Sequence, residues 1–209
     1  MDITIPGLII ICASMGEGKS HLVKYLIKSN KTQLKYGIVF SHTAFNDGNF
    51  DYIPKKYIYT SYMPEKLNNL MIIQEQQEKK ERCAAFVILD DCVFDSWIYC
   101  KYFNRLITQV RHYNVLVIIT TQYVNKIPPV IRENAFQVCI FNSDTKRSLS
   151  TLYESYGQKF TTFEDFKKYI LNNTGQHRFI YYNRKENEKE KQYLIMRAPK
   201  KIKPFRLEY

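Results

Sequence analysis

Four short apolar runs stand out along the chain: Leu8–Ala13, Ala84–Leu89, Val115–Thr121 and Phe136–Phe141. Three of them are nearly continuous and rich in Ile and Val, with no polar alternation. That pattern predicts parallel strands covered on both faces. Gly37–Ser41 predicts a fifth strand, and Tyr57–Thr60 a weaker sixth. Helical patterns fall between them. Lys19–Ser29 follows the first strand. Glu65–Arg82 is rich in Gln, Glu and Lys and predicts an exposed helix. Ser96–Val110 places Trp97, Ile98, Tyr102, Leu106 and Val110 at helical spacing. Strand–helix alternation of this kind predicts an open, mostly parallel α/β sheet.

After Phe141 the pattern changes. Asp144–Tyr156 and Phe163–Leu171 read as helices, the second with Thr162 as N-cap. Arg178–Asn183 and Gln192–Met196 then alternate like two antiparallel strands around a charged turn. The expected organisation is an α/β core over 1–143. Residues 144–209 form a C-terminal appendage of helices, β-hairpin and basic tail, packed on or extending from that core as part of one domain. No internal repeat or low-complexity segment is visible.

Composition narrows the class. At 209 residues, with 45% apolar and 24% charged residues, the chain suits one α/β domain with a full core. The net charge of +11 is uneven: ten Lys/Arg face three Glu between Arg178 and Arg206, which supplies +7 of it. A basic stretch favours a polyanion such as nucleic acid, although such tails are often only solvated. The five cysteines form no CxxC pair, and several sit in or beside apolar runs, as reduced core thiols do in a cytosolic compartment. The four histidines lack metal-ligand spacing, so no zinc is expected. The first apolar run is far too short to span a bilayer and no basic leader precedes it. The expectation is a non-secreted protein without stable membrane insertion.

The chemistry begins at residues 13–20, Ala-Ser-Met-Gly-Glu-Gly-Lys-Ser. These match the phosphate-binding pattern G-x-x-x-x-G-K-[ST], with Ala13 in place of the first Gly. Such a loop turns backbone N–H groups inward around an anion and ends at a helix N-terminus. Ser14, Met15, Gly16, Glu17, Gly18, Lys19, Ser20 and His21 are therefore the expected nucleotide-binding residues. Lys19 can reach the β- and γ-phosphates of ATP, and the Ser20 hydroxyl can ligate Mg²⁺. The preceding strand and the amphipathic helix carrying Leu22, Val23, Leu26 and Ile27 supply the context the motif requires.

Phe86–Asp91 is an apolar strand ending in two acids. Asp90 is the expected second contributor to Mg²⁺, acting through water. Asp91 can orient or deprotonate an attacking water. The run ending Thr120-Thr121-Gln122 places Gln122 at a strand tip, where it can bond both water and phosphate. Arg111 and Arg132 are candidates for an arginine supplied to a neighbouring site, and either alone could be a structural ion pair.

Taken in order, ASMGEGKS, VILDD, QVRHYNVLVIITTQ and IPPVIRENAFQVCIF resemble the A32-like genome-packaging ATPases of large DNA viruses, within the FtsK–HerA superfamily. The resemblance spans about residues 7–142. It implies a RecA-like sheet with the Gln122 strand between the P-loop strand and the Asp90 strand. It implies a homo-oligomeric ring with ATP sites between subunits and an arginine acting in trans. It also implies double-stranded DNA and capsid or portal components as partners. The corresponding location is the host cytoplasm or virus assembly site, and transiently the virion vertex. Ala13 for Gly and Asp91 for the commoner Glu depart from the pattern. Other readings stay open on the residues alone: a Zot-type phage assembly ATPase, a small nucleotide or nucleoside kinase, and a non-hydrolysing P-loop scaffold.

Overall fold

The structure is a computed structural model, which describes residues 3–46, 48–78, 81–92, 96–143, 145–188 and 191–209. The chain begins with strand β1 (Gly7–Cys12), helix α1 (Lys19–Ser29), β2 (Leu34–Ser41) and the two-residue β3 (Ile58–Tyr59). It continues with α2 (Pro64–Gln76), β4 (Ala84–Asp90), α3 (Lys101–Thr108), α4 (Val110–Tyr113) and β5 (Val115–Thr121). The last third holds α5 (Pro129–Asn134), β6 (Gln137–Ile140), α6 (Lys146–Tyr156), α7 (Phe163–Asn173), β7 (Arg178–Asn183) and β8 (Tyr193–Arg197).

Among the described residues the strands form one sheet in the order β3-β2-β4-β5-β1-β6-β7-β8. Strands β1 to β6 pair in parallel, and β7 and β8 add antiparallel to β6. β5 lies between β1 and β4, so the Gln122 strand separates the P-loop strand from the Asp90 strand, as the resemblance implies.

The continuous apolar runs follow from burial on both faces. Leu8, Ile10 and Cys12 of β1 pack into a core under α2 to α7, while Ile9 and Ile11 pack into a second core under α1. β4 splits the same way, with Val87 and Leu89 on one face and Phe86 and Ile88 on the other. Each such side chain contributes roughly 1.5–3 kcal/mol by leaving water. No solvated face exists on these strands, so no polar alternation is needed.

Several boundaries differ from the sequence pattern. The expected helix Glu65–Arg82 is α2, which ends at Gln76. It is not simply exposed, since Leu67, Leu70, Met71 and Gln74 are buried. Gln77 is extended, and its side chain accepts from the Cys83 backbone N–H (3.2 Å). The Arg82 guanidinium caps the same turn by donating to the Gln77 carbonyl (3.0 Å). Polar side chains thus tie the chain into a return toward β4. Lys79 and Lys80, inside that expected helix, lie outside the described residues.

The expected helix Ser96–Val110 is broken in three. A 3₁₀ turn at Ser96–Tyr99 precedes α3, and α4 follows a non-helical Gln109. Trp97 is fully buried with its indole N–H donating to the Cys92 carbonyl, which fixes the turn apart from the helix. Asn114 in left-handed conformation (φ 52°) ends α4. Asp144, the expected start of a helix, lies outside the described residues; α6 begins at Lys146, capped by Thr145. Thr162 caps α7 by accepting from the Asp165 N–H (3.2 Å), as expected.

The tail after β8 runs back across α1. Lys28 Nζ donates to the Lys203 carbonyl (2.6 Å), and the Leu207 N–H donates to the Tyr52 carbonyl (2.8 Å). Phe205 stacks on Tyr52 with ring centroids 4.8 Å apart, and Tyr209 stacks on Tyr57 at 4.7 Å. Phe205, Leu207 and Tyr209 therefore face inward at every second residue. Lys201, Lys203 and Arg206 stay exposed.

Candidate functional site

Parallel strands put their C-terminal ends on one side of the sheet, and loops there collect the side chains of a site. The P-loop leaves β1 on that side. The Ala13 N–H donates to the Thr121 carbonyl (3.1 Å), and the Ser14 hydroxyl donates to the Asn142 carbonyl beyond β6 (3.4 Å). Gly16 (φ 79°) and Gly18 (φ 103°) are left-handed, where a Cβ is disfavoured. Ala13 is not among the residues with positive φ, so the missing first glycine adds no backbone strain. Ser14, Met15 and Gly16 are exposed at the tip, while Glu17, Ser20 and His21 are half-buried.

Lys19 is 8% exposed. Its Nζ donates to the carbonyls of Ala13 (3.0 Å) and Ser14 (3.4 Å) and lies 3.4 Å from Asp91 Oδ2. The same Asp91 oxygen accepts from Gln122 Nε2 (3.2 Å). Lys19, Asp91 and Gln122, 103 positions apart in the chain at the extremes, are thus one contiguous group.

Asp91 is left-handed (φ 50°), which costs on the order of 1 kcal/mol. Asp and Asn tolerate that region better than most residues, which gives a local reason for Asp where the resembling family more often has Glu. The Asp91 N–H is held by Thr120, bonding its carbonyl (3.2 Å) and its hydroxyl (3.1 Å).

Asp90 is 6% exposed at the end of β4. Its Oδ1 accepts from the Thr120 hydroxyl (2.6 Å) and its Oδ2 from the Ser41 hydroxyl (2.9 Å). Burial pushes its pKa up, the two hydroxyl bonds pull it back, Asp91 raises it further and Lys19 lowers it. Thr120 and Ser41, which hold the Asp90 carboxylate, are not among the residues that the sequence motifs single out. The available signal was a hydroxyl at the end of each of two apolar strands.

Ser20 and Asp90 offer hard oxygen donors of the kind Mg²⁺ prefers. Both Asp90 oxygens already accept hydroxyl protons, which suits a carboxylate that holds a metal's water ligand. Among the described residues no cluster of three His, Cys, Asp or Glu side chains is placed for a transition metal.

The two arginines do not join this group within one chain. Arg111 is exposed on α4, before β5, at the end of the strand opposite Gln122. Arg132 donates to Ser155 Oγ (2.9 Å) and to the Ile127 carbonyl, and its own carbonyl accepts from the Tyr156 hydroxyl (3.1 Å). Burial pushes the Cys12 thiol up to about 12 despite Lys19 and Arg132 nearby, so it is a core residue and no nucleophile. No helix among the described residues is long and apolar enough to cross a membrane.

No family model matches the chain. It is 30% identical over 177 residues to the uncharacterized protein 075L of Invertebrate iridescent virus 6, covering 83% of this chain and 69% of that protein. It is 27% identical over 178 residues to protein 088R of Invertebrate iridescent virus 3, covering 83% of this chain and 67% of that one. Among solved structures it is similar to the genome packaging NTPase B204 of Sulfolobus turreted icosahedral virus 2 in complex with ATP-gammaS. That match has a TM-score of 0.65 and 17% identity and covers 92% of this chain and 98% of that one. The crystal structure of B204 from Sulfolobus turreted icosahedral virus, described as the DNA-packaging ATPase, gives the same TM-score, identity and coverage. The fold is that of the B204 NTPase, and the chain belongs to the family of iridescent-virus protein 075L.

Proposed function

We propose that this protein is an ATP-hydrolysing motor that moves double-stranded viral DNA into a preformed capsid. The observation that carries the reading is the convergence of Lys19, Asp91 and Gln122 at the ends of three adjacent strands. An ammonium and a carboxylate this close in a half-buried crevice form a latch that an anion can open. A γ-phosphate arriving at Lys19 competes for its charge and frees the Asp91 carboxylate. Gln122 then orients a water against the γ-phosphorus, and Asp91 accepts its proton. The bond from phosphorus to the β–γ bridging oxygen breaks and ADP carries the charge away, with Lys19 offsetting it. Once the phosphate departs and Asp91 passes its proton to solvent, Lys19 and the Asp91 carboxylate pair again.

Ser20 and Asp90 would hold Mg²⁺, which would supply charge neutralisation to the phosphates. The remaining backbone N–H groups of residues 14–18 and the first turn of α1, including His21, cradle the phosphates. In a homo-oligomeric ring, an arginine from a neighbour completes the site. Arg111 is better suited than Arg132, because its side chain is exposed and Arg132 is tied to Ser155 and Ile127.

In this reading residues 1–143 form the ATPase core, and 144–209 extend it toward its cargo. The exposed Lys201, Lys203 and Arg206 of the docked tail suit phosphate contacts that ignore sequence, as a translocase needs, or contacts with capsid and portal components. The protein acts at the virus assembly site in the host cytoplasm and transiently at the virion vertex. The names of the B204 neighbours support the motor reading. The test is phosphate release with and without duplex DNA, run beside Lys19→Ala. Stimulation by duplex is the expected result. Turnover that ignores duplex DNA but rises with a nucleoside would sink the motor reading.

A further inference from the structure

The two edges of the sheet differ. One edge is β3, which is two residues long. The other is β8, which pairs with β7 on one side and with no strand among the described residues on the other. Proteins usually blunt an edge with a short strand, a proline, a bulge or a charged side chain within the strand. β3 is blunted by its length. β8 reads Tyr-Leu-Ile-Met-Arg, keeps regular register with β7 and holds none of these devices before its last residue.

The direction of its backbone groups follows from the ladder. The Asn183 N–H donates to the Gln192 carbonyl (2.9 Å), so these two form a hydrogen-bonded pair. In an antiparallel ladder such pairs alternate with pairs that exchange no bonds. Leu194 and Met196 therefore bond β7, and the N–H and C=O groups of Tyr193, Ile195 and Arg197 point outward from the sheet. Apolar side chains flank them on both faces. Leu194 is 43% and Ile195 50% exposed, and as neighbours in a strand they point to opposite faces.

Charge selects the occupant. Arg197 stands opposite Arg178 in a pair without backbone bonds, where side chains approach closest, and like charges directly opposite destabilise a sheet. Among the described residues neither guanidinium pairs with a carboxylate. Lys200 is exposed just beyond, and Lys159 Nζ lies 5.6 Å from the Tyr193 ring centroid. Glu186 and Glu188 sit at the turn of the hairpin, where Glu188 is paired with Lys191 (2.7 Å). A second copy of β8 would bring more cations to the same edge. We propose that the open edge of β8 takes an added strand from another protein, an extended segment with an apolar centre and acids at its ends. Backbone bonds to Tyr193, Ile195 and Arg197 would hold it, Leu194 and Ile195 would pack against it, and its acid would separate Arg197 from Arg178.

The test titrates the full chain with a blocked peptide of about six residues, valine and threonine alternating between terminal aspartates, with affinity read by fluorescence anisotropy. A matched peptide ending in lysines is expected to bind about fivefold more weakly at low salt, and the gap should close as salt is added. Ile195→Pro removes an N–H that points away from β7, so the ladder survives while affinity should fall about tenfold. Methylating alternate backbone nitrogens of the peptide makes the same test without touching the fold. One set of nitrogens should abolish binding and the other leave it intact. A wild-type chain that does not bind the aspartate peptide overturns the proposal. So do equal affinities for the two peptides, an Ile195→Pro chain that binds like the wild type, or methylated peptides that bind alike. A wild-type oligomer that Ile195→Pro dissolves gives the edge to a second copy and overturns the acidic partner.

Discussion

On the β4–β5 flank of the P-loop, Asp90 is buried and both its oxygens accept hydroxyl protons; on the β6–β8 flank, Gln176 and His177 are exposed on left-handed backbone. The first flank is made of strand ends in regular parallel register, Asp90 beside Thr120 and Ser41 beside Asp90. The second is made of a turn, a strand exit and the start of the docked tail. Groups that stabilise charge in a reaction work best when fixed and water-poor, because they then need no reorganisation as charge develops. A nucleotide that must enter and leave needs a wall that can open. The first flank therefore has the build that the proposed hydrolysis needs, and the second that of a wall open to solvent.

The largest expected effect breaks both flanks at once. Lys19→Ala removes the charge that the triphosphate and Asp91 share, and phosphate release should fall by at least a thousandfold, to background. Survival of turnover in that variant would remove the site altogether. Asp91→Asn tests the β4–β5 flank alone. The expectation is a fall in kcat of about 10²–10⁴ with ATP affinity retained, measured by turnover and equilibrium binding in parallel. An equal loss of binding would place Asp91 in the structure of the loop and not in the chemistry. Replacing Lys201, Lys203 and Arg206 together by Ala touches neither flank. Turnover without DNA should hold, while the slope of duplex affinity against salt should shrink by about three charges at most. An unchanged slope would leave the tail as a structural strap only.

The smallest effect concerns stability. The Asp90 pKa is raised in the folded chain, chiefly by burial. A carboxyl raised on folding favours the folded state below its unfolded value. That contribution is lost as pH climbs through the folded value. At neutral pH the buried charge is therefore a cost. Asp90→Asn should raise Tm by roughly 2–4 °C near pH 7 while stopping hydrolysis, and the gain should shrink as the pH is lowered below the folded pKa. A Tm that falls instead would mean that the Ser41 and Thr120 bonds outweigh the burial.

Much of the reaction flank was legible in the chain. Continuous Ile/Val runs identified strands buried on both faces, and acids or Gln directly after them had to sit at strand ends. Gly16 and Gly18 marked the one loop that needs left-handed backbone beside a helix start. Helix boundaries were less legible. α2 stops at Gln76 because Gln77, Arg82 and Cys83 bond one another across the turn, a tertiary arrangement that propensity cannot weigh. The segment from Ser96 breaks because Trp97 is drawn into the core and bonded to Cys92. His177 carried no signal, since its partner Glu17 lies 160 positions away.

Local order in the sequence determined the parallel core, the phosphate loop and the acids that face it, because each depends on residues adjacent in the chain and on a burial pattern that repeats along a strand. Only the tertiary structure decided that Ser41 and Thr120 hold Asp90, that Arg132 is bound to Ser155, and that the tail crosses α1 to dock on Tyr52 and Tyr57. It also decided that the turn before β7 closes a cavity against the P-loop. Those contacts join segments whose separation leaves no periodic trace, and they form only once the sheet has brought its strand ends to one side.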